Sequence, residues 1–146
     1  MSIFPTRILV ATDGSEDSRL ASRTAVELAR ETSSELHVVY VLPWPDEGVR
    51  DLWGFDASAR NAAEGRGRER LKELAAGIEA SGGTVAGTHF EVGNPEVRIV
   101  AVAEELGAGF LVMGKTGYGA LKRAFMGSIS DYVVRHSHSP VVVVGE

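Results

Sequence analysis

The stretch Arg7-Ile-Leu-Val-Ala-Thr-Asp-Gly-Ser-Glu-Asp17 changes character twice within a few residues. Ile8 to Ala11 is an uninterrupted apolar run, which is how a strand covered on both faces reads. Asp13-Gly14 is turn chemistry. Ser15 can then cap a helix, with Glu16 and Asp17 in its first turn where the helix dipole favours acids. Leu20, Ala21, Ala25, Leu28 and Ala29 recur on one face beyond it. A strand, a tight turn and an amphipathic helix in this order form the opening of a βα unit.

The same alternation continues outward. Four more apolar runs follow at Glu35–Val41, Val85–Glu91, Phe110–Met113 and Val141–Val144. Helical patterns fill the gaps. Leu71, Leu74, Ala75 and Ile78 mark a helix stopped by Gly82-Gly83. Pro95 opens another, with Ile99, Val100, Ala103 and Leu106 as its buried stripe. A last one carries Ile129, Tyr132 and Val133 and ends before Pro140. The expected fold class is α/β: a single-domain, open, doubly wound five-stranded parallel sheet with helices on both faces, spanning residues 1–146. Pro43 to Asp56 has no clear pattern and is expected to be a loop. Its tryptophans, Trp44 and Trp53, suit either a cover over a ligand or local packing against the sheet.

Composition narrows the function. A chain of 146 residues buries roughly two-thirds of its unfolded surface, so it needs no disulfide, and it has no cysteine. That fits a reducing compartment. The first residues show no signal peptide, and no apolar run is long enough to cross a bilayer. A cytoplasmic location and no membrane partner are expected. The formal charge of −5 argues against a nucleic-acid partner, which would call for a surplus of Lys and Arg. Lys115, Lys122 and Arg123 form a local basic cluster of opposite sign, suited to a small anion.

Ligands of doubly wound sheets bind beyond the carboxyl ends of the strands, where the strand order reverses. Two such ends carry chemistry: Ala11-Thr12-Asp13-Gly14-Ser15 after the first strand and Gly114-Lys115-Thr116-Gly117-Tyr118-Gly119 after the fourth. If these strands are neighbours, their loops flank one crevice. The second loop leads to Gly127-Ser128-Ile129-Ser130 at the start of the last helix. Unpaired amides there make an anion site, with Gly127 permitting close backbone approach and Ser128 and Ser130 adding hydroxyls. By itself the pattern also describes an ordinary capped helix. Asp13 is placed to accept from a ribose hydroxyl, and equally to form the turn ahead of the first helix.

The spacing Gly114, two residues, Gly117, nine residues, Gly127-Ser128 resembles the ATP-binding signature of the universal stress protein family. Arg7–Ser15, Leu36–Val41, Val92–Pro95 and Ser137–Val144 resemble further segments of that family in the same order. The resemblance implies its adenine nucleotide alpha hydrolase-like fold and a set of nucleotide-binding roles. Asp13 would bond the ribose or its surroundings. Ala11 and Thr12 would line the nucleoside pocket with Met113, and Val41 would offer backbone groups to adenine. Gly114 and Gly117 would wrap sugar and phosphates, and Gly127, Ser128, Ile129 and Ser130 would hold the phosphate chain. ATP would carry Mg²⁺, or Mn²⁺, on its phosphates, and the chain would pair as a homodimer through its C-terminal strand. The chain would then act as a regulatory ATP-binding module in stress response, read by a protein partner that the sequence does not identify. No catalytic residue and no metal-ligating set stands out, so an enzyme is not expected beyond weak ATP hydrolysis. Slow ATPase or phosphotransferase activity and a nucleotide-free interaction protein are the alternatives.

Three other patterns are set aside. Gly109-Phe-Leu-Val-Met-Gly-Lys-Thr116 matches the P-loop expression, but its interior reads as strand, not as a phosphate-cradling turn. His136 and His138 are two apart near a helix end, where the dipole alone explains them. His37 and His89 lie in strands with no evident nucleophile beside them.

Overall fold

The structure is a computed structural model that describes residues 2–44, 57–116 and 127–145. Five strands, β1 (Arg7–Ala11), β2 (Glu35–Pro43), β3 (Val85–Gly93), β4 (Phe110–Gly114) and β5 (Val141–Val144), form one sheet of order β3-β2-β1-β4-β5. Every pairing is parallel. Four helices are described: α1 (Glu16–Thr32), α2 (Ala57–Ala80), α3 (Pro95–Leu106) and α4 (Ser128–His136). This is the α/β architecture expected from the alternating pattern.

The continuous apolar runs have their cause in the two cores. Successive strand side chains point to opposite faces. Ile8, Val10, Leu36, Val38, Tyr40 and Val112 pack on one side against α1 and α2. Leu9, Ala11, Val39, Val41, Leu111 and Met113 pack on the other against α3 and α4. The buried stripe of α1 consists of small residues, including Ala21, Ala25 and Ala29, which lets the helix lie close to the central strands.

The termini of the helices follow the local chemistry. Ser15 caps α1, its side chain accepting from the Ser18 amide. Pro95 stands at the start of α3, and Gly107 ends it at a φ of 68°, a conformation open to glycine at little cost. α2 begins at Ala57, well before the apolar stripe that signalled it, and only its second half carries that stripe.

Strand order fixes where a site can lie. The chain steps from β1 to β2 to β3 in one direction, then crosses back to place β4 on the other side of β1. The reversal falls between β1 and β4, the two strands whose loops carry the marked residues. Phe110–Gly114 is indeed strand, with Leu111, Val112 and Met113 buried, so the P-loop-like expression is a coincidence of spacing.

Candidate functional site

A cleft of about 620 Å³, counting its open mouth, lies at the carboxyl edge of the sheet over the β1–β4 junction. Ala11, Thr12, Asp13, Val41, Met113, Gly114, Gly127, Ser128, Ile129 and Ser130 all line it. Gly117, expected in the same set, lies outside the described residues, as do Lys122, Arg123 and Trp53. Lys115 and Thr116 of the loop after β4 line it too, as do Ser18, Val39, Pro95 and Ile99, which were not expected there.

Asp13 plays both of its candidate roles with different atoms. Oδ1 accepts from the Ser15 amide at 2.8 Å, closing the turn. No hydrogen bond among the described residues occupies Oδ2, which leaves it for a ligand. Beside it, the Thr12 hydroxyl donates to Ser18 Oγ at 3.2 Å, and the Ser18 hydroxyl donates to the Ser15 carbonyl.

The floor of the cleft offers backbone groups. The Thr12 amide donates to the Val39 carbonyl, so Val39 turns its peptide groups toward β1. Val41 has the same parity along β2 and points the same way. β1 stops at Ala11, opposite Val39, so no residue of β1 stands across from Val41. Its N–H and C=O border the cleft.

Across from Asp13 stands the first turn of α4. The first intrahelical bond runs from the Asp131 amide to the Gly127 carbonyl, so the amides of Ser128, Ile129 and Ser130 precede the helical ladder. They and the helix dipole make an anion-accepting end. Two expectations need correcting here. Ser130 is 2% exposed, and its hydroxyl is directed inward to the carbonyls of Lys115 at 2.8 Å and Gly127 at 3.1 Å. Only the Ser128 hydroxyl, on an exposed residue, is free to serve a ligand. The Gly127 amide is likewise engaged, donating to the Lys115 carbonyl at 3.0 Å. A Cβ on Gly127 would face that same carbonyl at 3.3 Å. Gly127 therefore permits a close seam between the end of β4 and the start of α4.

Gly114 also has a packing role. A Cβ there would fall 2.8 Å from the Asp17 carbonyl carbon and 2.9 Å from the Ser18 amide nitrogen. The glycine lets the end of β4 press against the backbone of α1. Asp17, read from sequence only as an acid in the first helical turn, is 3% exposed. Its Oδ2 accepts from the Thr116 hydroxyl at 2.7 Å and the Thr116 amide at 3.2 Å.

The remaining titratable clusters lie away from the cleft. His37 Nδ1 and His89 Nε2 are 3.1 Å apart, and His37 Nε2 is 2.9 Å from Glu35 Oε1. Burial, and then the neighbouring His37, hold the His89 imidazole below its ordinary value, against Glu91 and Glu105. The hydrogen bond from His37 keeps the Glu35 carboxyl below its ordinary value, with Arg7 assisting. His136 donates to the Tyr132 carbonyl and stacks on its ring, and His138 faces Glu104. Among the described residues no group of three His, Cys, Asp or Glu could hold a metal ion, and no helix is long and apolar enough to cross a membrane.

A parallel five-stranded sheet with an anion-accepting helix start facing an acidic turn at its reversal point defines a doubly wound α/β protein with a cleft at its topological switch point. The sequence model of the universal stress protein family matches residues 5–145, and the chain belongs to that family. Universal stress protein MJ0531 of Methanocaldococcus jannaschii is 33% identical over 139 residues, covering 94% of this chain and 81% of the relative. The solved structure of MJ0577, from the same organism, superimposes with a TM-score of 0.80 at 24% identity, covering 98% of this chain and 97% of that one. A universal stress protein from Archaeoglobus fulgidus, solved in complex with dAMP, has a TM-score of 0.66 at 24% identity, covering 99% of this chain and 100% of that one. At these identities the solved structures speak for the fold.

Proposed function

We propose that this chain binds ATP in the cleft between β1 and β4 and works as a regulatory module in stress response. The observation that carries the reading is the convergence, on one cleft, of a carboxylate oxygen of Asp13 and the amides of Ser128, Ile129 and Ser130. A ribose hydroxyl suits the first and a phosphate chain the second. The outward N–H and C=O of Val41 suit the edge of adenine, with Val39, Ile99 and Met113 as apolar walls. The dAMP bound by the relative from Archaeoglobus fulgidus supports an adenine nucleotide as the ligand class.

A divalent ion fits this site only in a particular way. Asp13 is the one carboxylate among the described residues lining the cleft. Mg²⁺ or Mn²⁺ would therefore be held chiefly by phosphate oxygens, with Asp13 as the carboxylate available to it, and would offset phosphate charge. Among the described residues lining the cleft, Asp13 and Lys115 are the only acid–base side chains, which supports slow hydrolysis at most. Turnover that is fast and saturable would favour the ATPase or phosphotransferase alternative.

Among the described residues β5 pairs with β4 on one side only, and all of Val141–Val144 remain partly exposed. An apolar edge of this kind calls for a cover, and a second copy of β5 across a twofold axis would supply it. Titration calorimetry with ATP, ADP and AMP in the presence of Mg²⁺, together with light scattering for mass, tests the proposal. Absence of heat from any of the three, with no nucleotide released from the purified protein, would leave a nucleotide-free interaction protein as the function.

A further inference from the structure

We propose that Asp17 is a positioning residue for the phosphate end of the cleft, a role that rests on the nucleotide reading above. Asp17 does not line the cleft, so it acts through others. Its Oδ2 takes both donors of Thr116, the amide and the hydroxyl. One residue earlier, the Lys115 amide donates to the Val144 carbonyl at 2.7 Å, and the Lys115 carbonyl accepts from the Gly127 amide and the Ser130 hydroxyl. The end of β4 is thus fixed from α1 by Asp17, from β5 by Val144 and from α4 by Gly127 and Ser130. The first turn of α4 takes its position relative to β1 through this junction, and that turn carries the amides of Ser128, Ile129 and Ser130.

The chemistry of Asp17 does not suit a purely structural residue. Its Oδ1 is buried and has no hydrogen-bond partner among the described residues. Leaving a buried polar oxygen unpaired costs stability, so selection for stability alone would favour an apolar or fully paired side chain. The surroundings nevertheless make room for it. A Cβ on Gly114 would lie 3.0 Å from Asp17 Cβ, and a Cβ on Gly145 would lie 3.0 Å from Asp17 Oδ2. Gly114 lets the end of β4 approach the backbone that carries Asp17, and Gly145, just past β5, keeps open the space that the carboxylate fills. Two donors of Thr116, its amide and its hydroxyl, converge on the single oxygen Oδ2, which holds that residue more firmly than a single contact would.

The test uses calorimetric titration of the full chain with two ligands, ATP and adenosine. Adenosine reads the nucleoside half of the cleft, and ATP reads both halves. In Asp17→Ala the ATP dissociation constant should rise about tenfold, as for loss of one coupled hydrogen-bonding partner, while adenosine affinity stays within about twofold. Thr116→Val, which keeps the shape and loses the 2.7 Å hydroxyl bond, should shift the same ratio in the same direction. It also serves if Asp17→Ala fails to fold. Asp17→Asn keeps an acceptor for Thr116 and should recover most of the ATP affinity. An equal loss for both ligands, or an unchanged ratio in folded variants, would overturn the positioning role. If the unmodified chain bound neither ligand, the nucleotide reading itself would fall, and this inference with it.

Discussion

Replacing Gly114 by alanine separates two explanations of that glycine by the sign of a stability change. The backbone φ of Gly114 is outside the left-handed region, so alanine can adopt it. The added methyl would sit 2.8 Å from the Asp17 carbonyl carbon, where an ordinary contact needs at least 3.4 Å. The opposing atoms are the backbone of α1, not the tip of a flexible side chain, so about 0.6 Å must come from moving a helix against the sheet. Overpacking of this kind costs about 1–3 kcal/mol. The loss of backbone freedom in the unfolded chain offsets about 0.4–1 kcal/mol of it. A net loss of about 1–2 kcal/mol is expected, read as a lower midpoint of urea denaturation at unchanged slope. Gly77, inside α2 with nothing within 4 Å of its Cβ position, is the control, and Gly77→Ala should stabilise by about 0.5–1 kcal/mol. If Gly114 served only to admit a ligand, alanine there would behave like the control. Gly114→Ala with native or greater stability would refute the packing account.

Other outcomes follow from the same geometry. Asp13→Ala should weaken ATP binding by about 1–3 kcal/mol, the range for a hydrogen bond to a charged group, measured by calorimetry. Leu9→Ala, at a fully buried position of the central strand, should lower stability by about 2–5 kcal/mol in denaturant titration. Stability should fall as pH drops below the ordinary histidine value of 6.5. His89 titrates lower in the folded state, so the unfolded chain binds the extra proton first. The loss should continue down toward the folded value, and His89→Gln should flatten the midpoint of urea denaturation measured from pH 7.5 to 5.5. An equally steep profile in that variant would assign the effect elsewhere. The lowered Glu35 carboxyl contributes in the same direction but only at more acid pH, below its ordinary value of 4.5.

The frame of the molecule was legible because strands covered on both faces leave continuous apolar runs, and β1, β2, β4 and β5 do so plainly. Ser15 and Pro95 were legible because capping is local chemistry. Asp13 and Ser128 could be assigned to one crevice because reversal of strand order in such sheets has a fixed place. Asp17 was not legible. An acid in the first turn of a helix is already explained by the dipole, and its partner Thr116 lies 99 residues further along. Val39, Ile99 and Pro95 were missed since an apolar wall of a cleft carries the same pattern as core. The inward turn of the Ser130 hydroxyl depends on a carbonyl 15 residues away, and nothing in the spacing of the glycines indicates it.

The cleft has one wall from each end of the chain. Asp13 follows the first strand, and the amides opposite belong to the last helix, while the strands that carry them to one place, β1 and β4, pair directly. A growing polypeptide therefore cannot assemble the pocket until residue 130 has been made and has reached the sheet. A small molecule held there would favour only finished molecules, and fragments cut short before α4 would gain no protection from it.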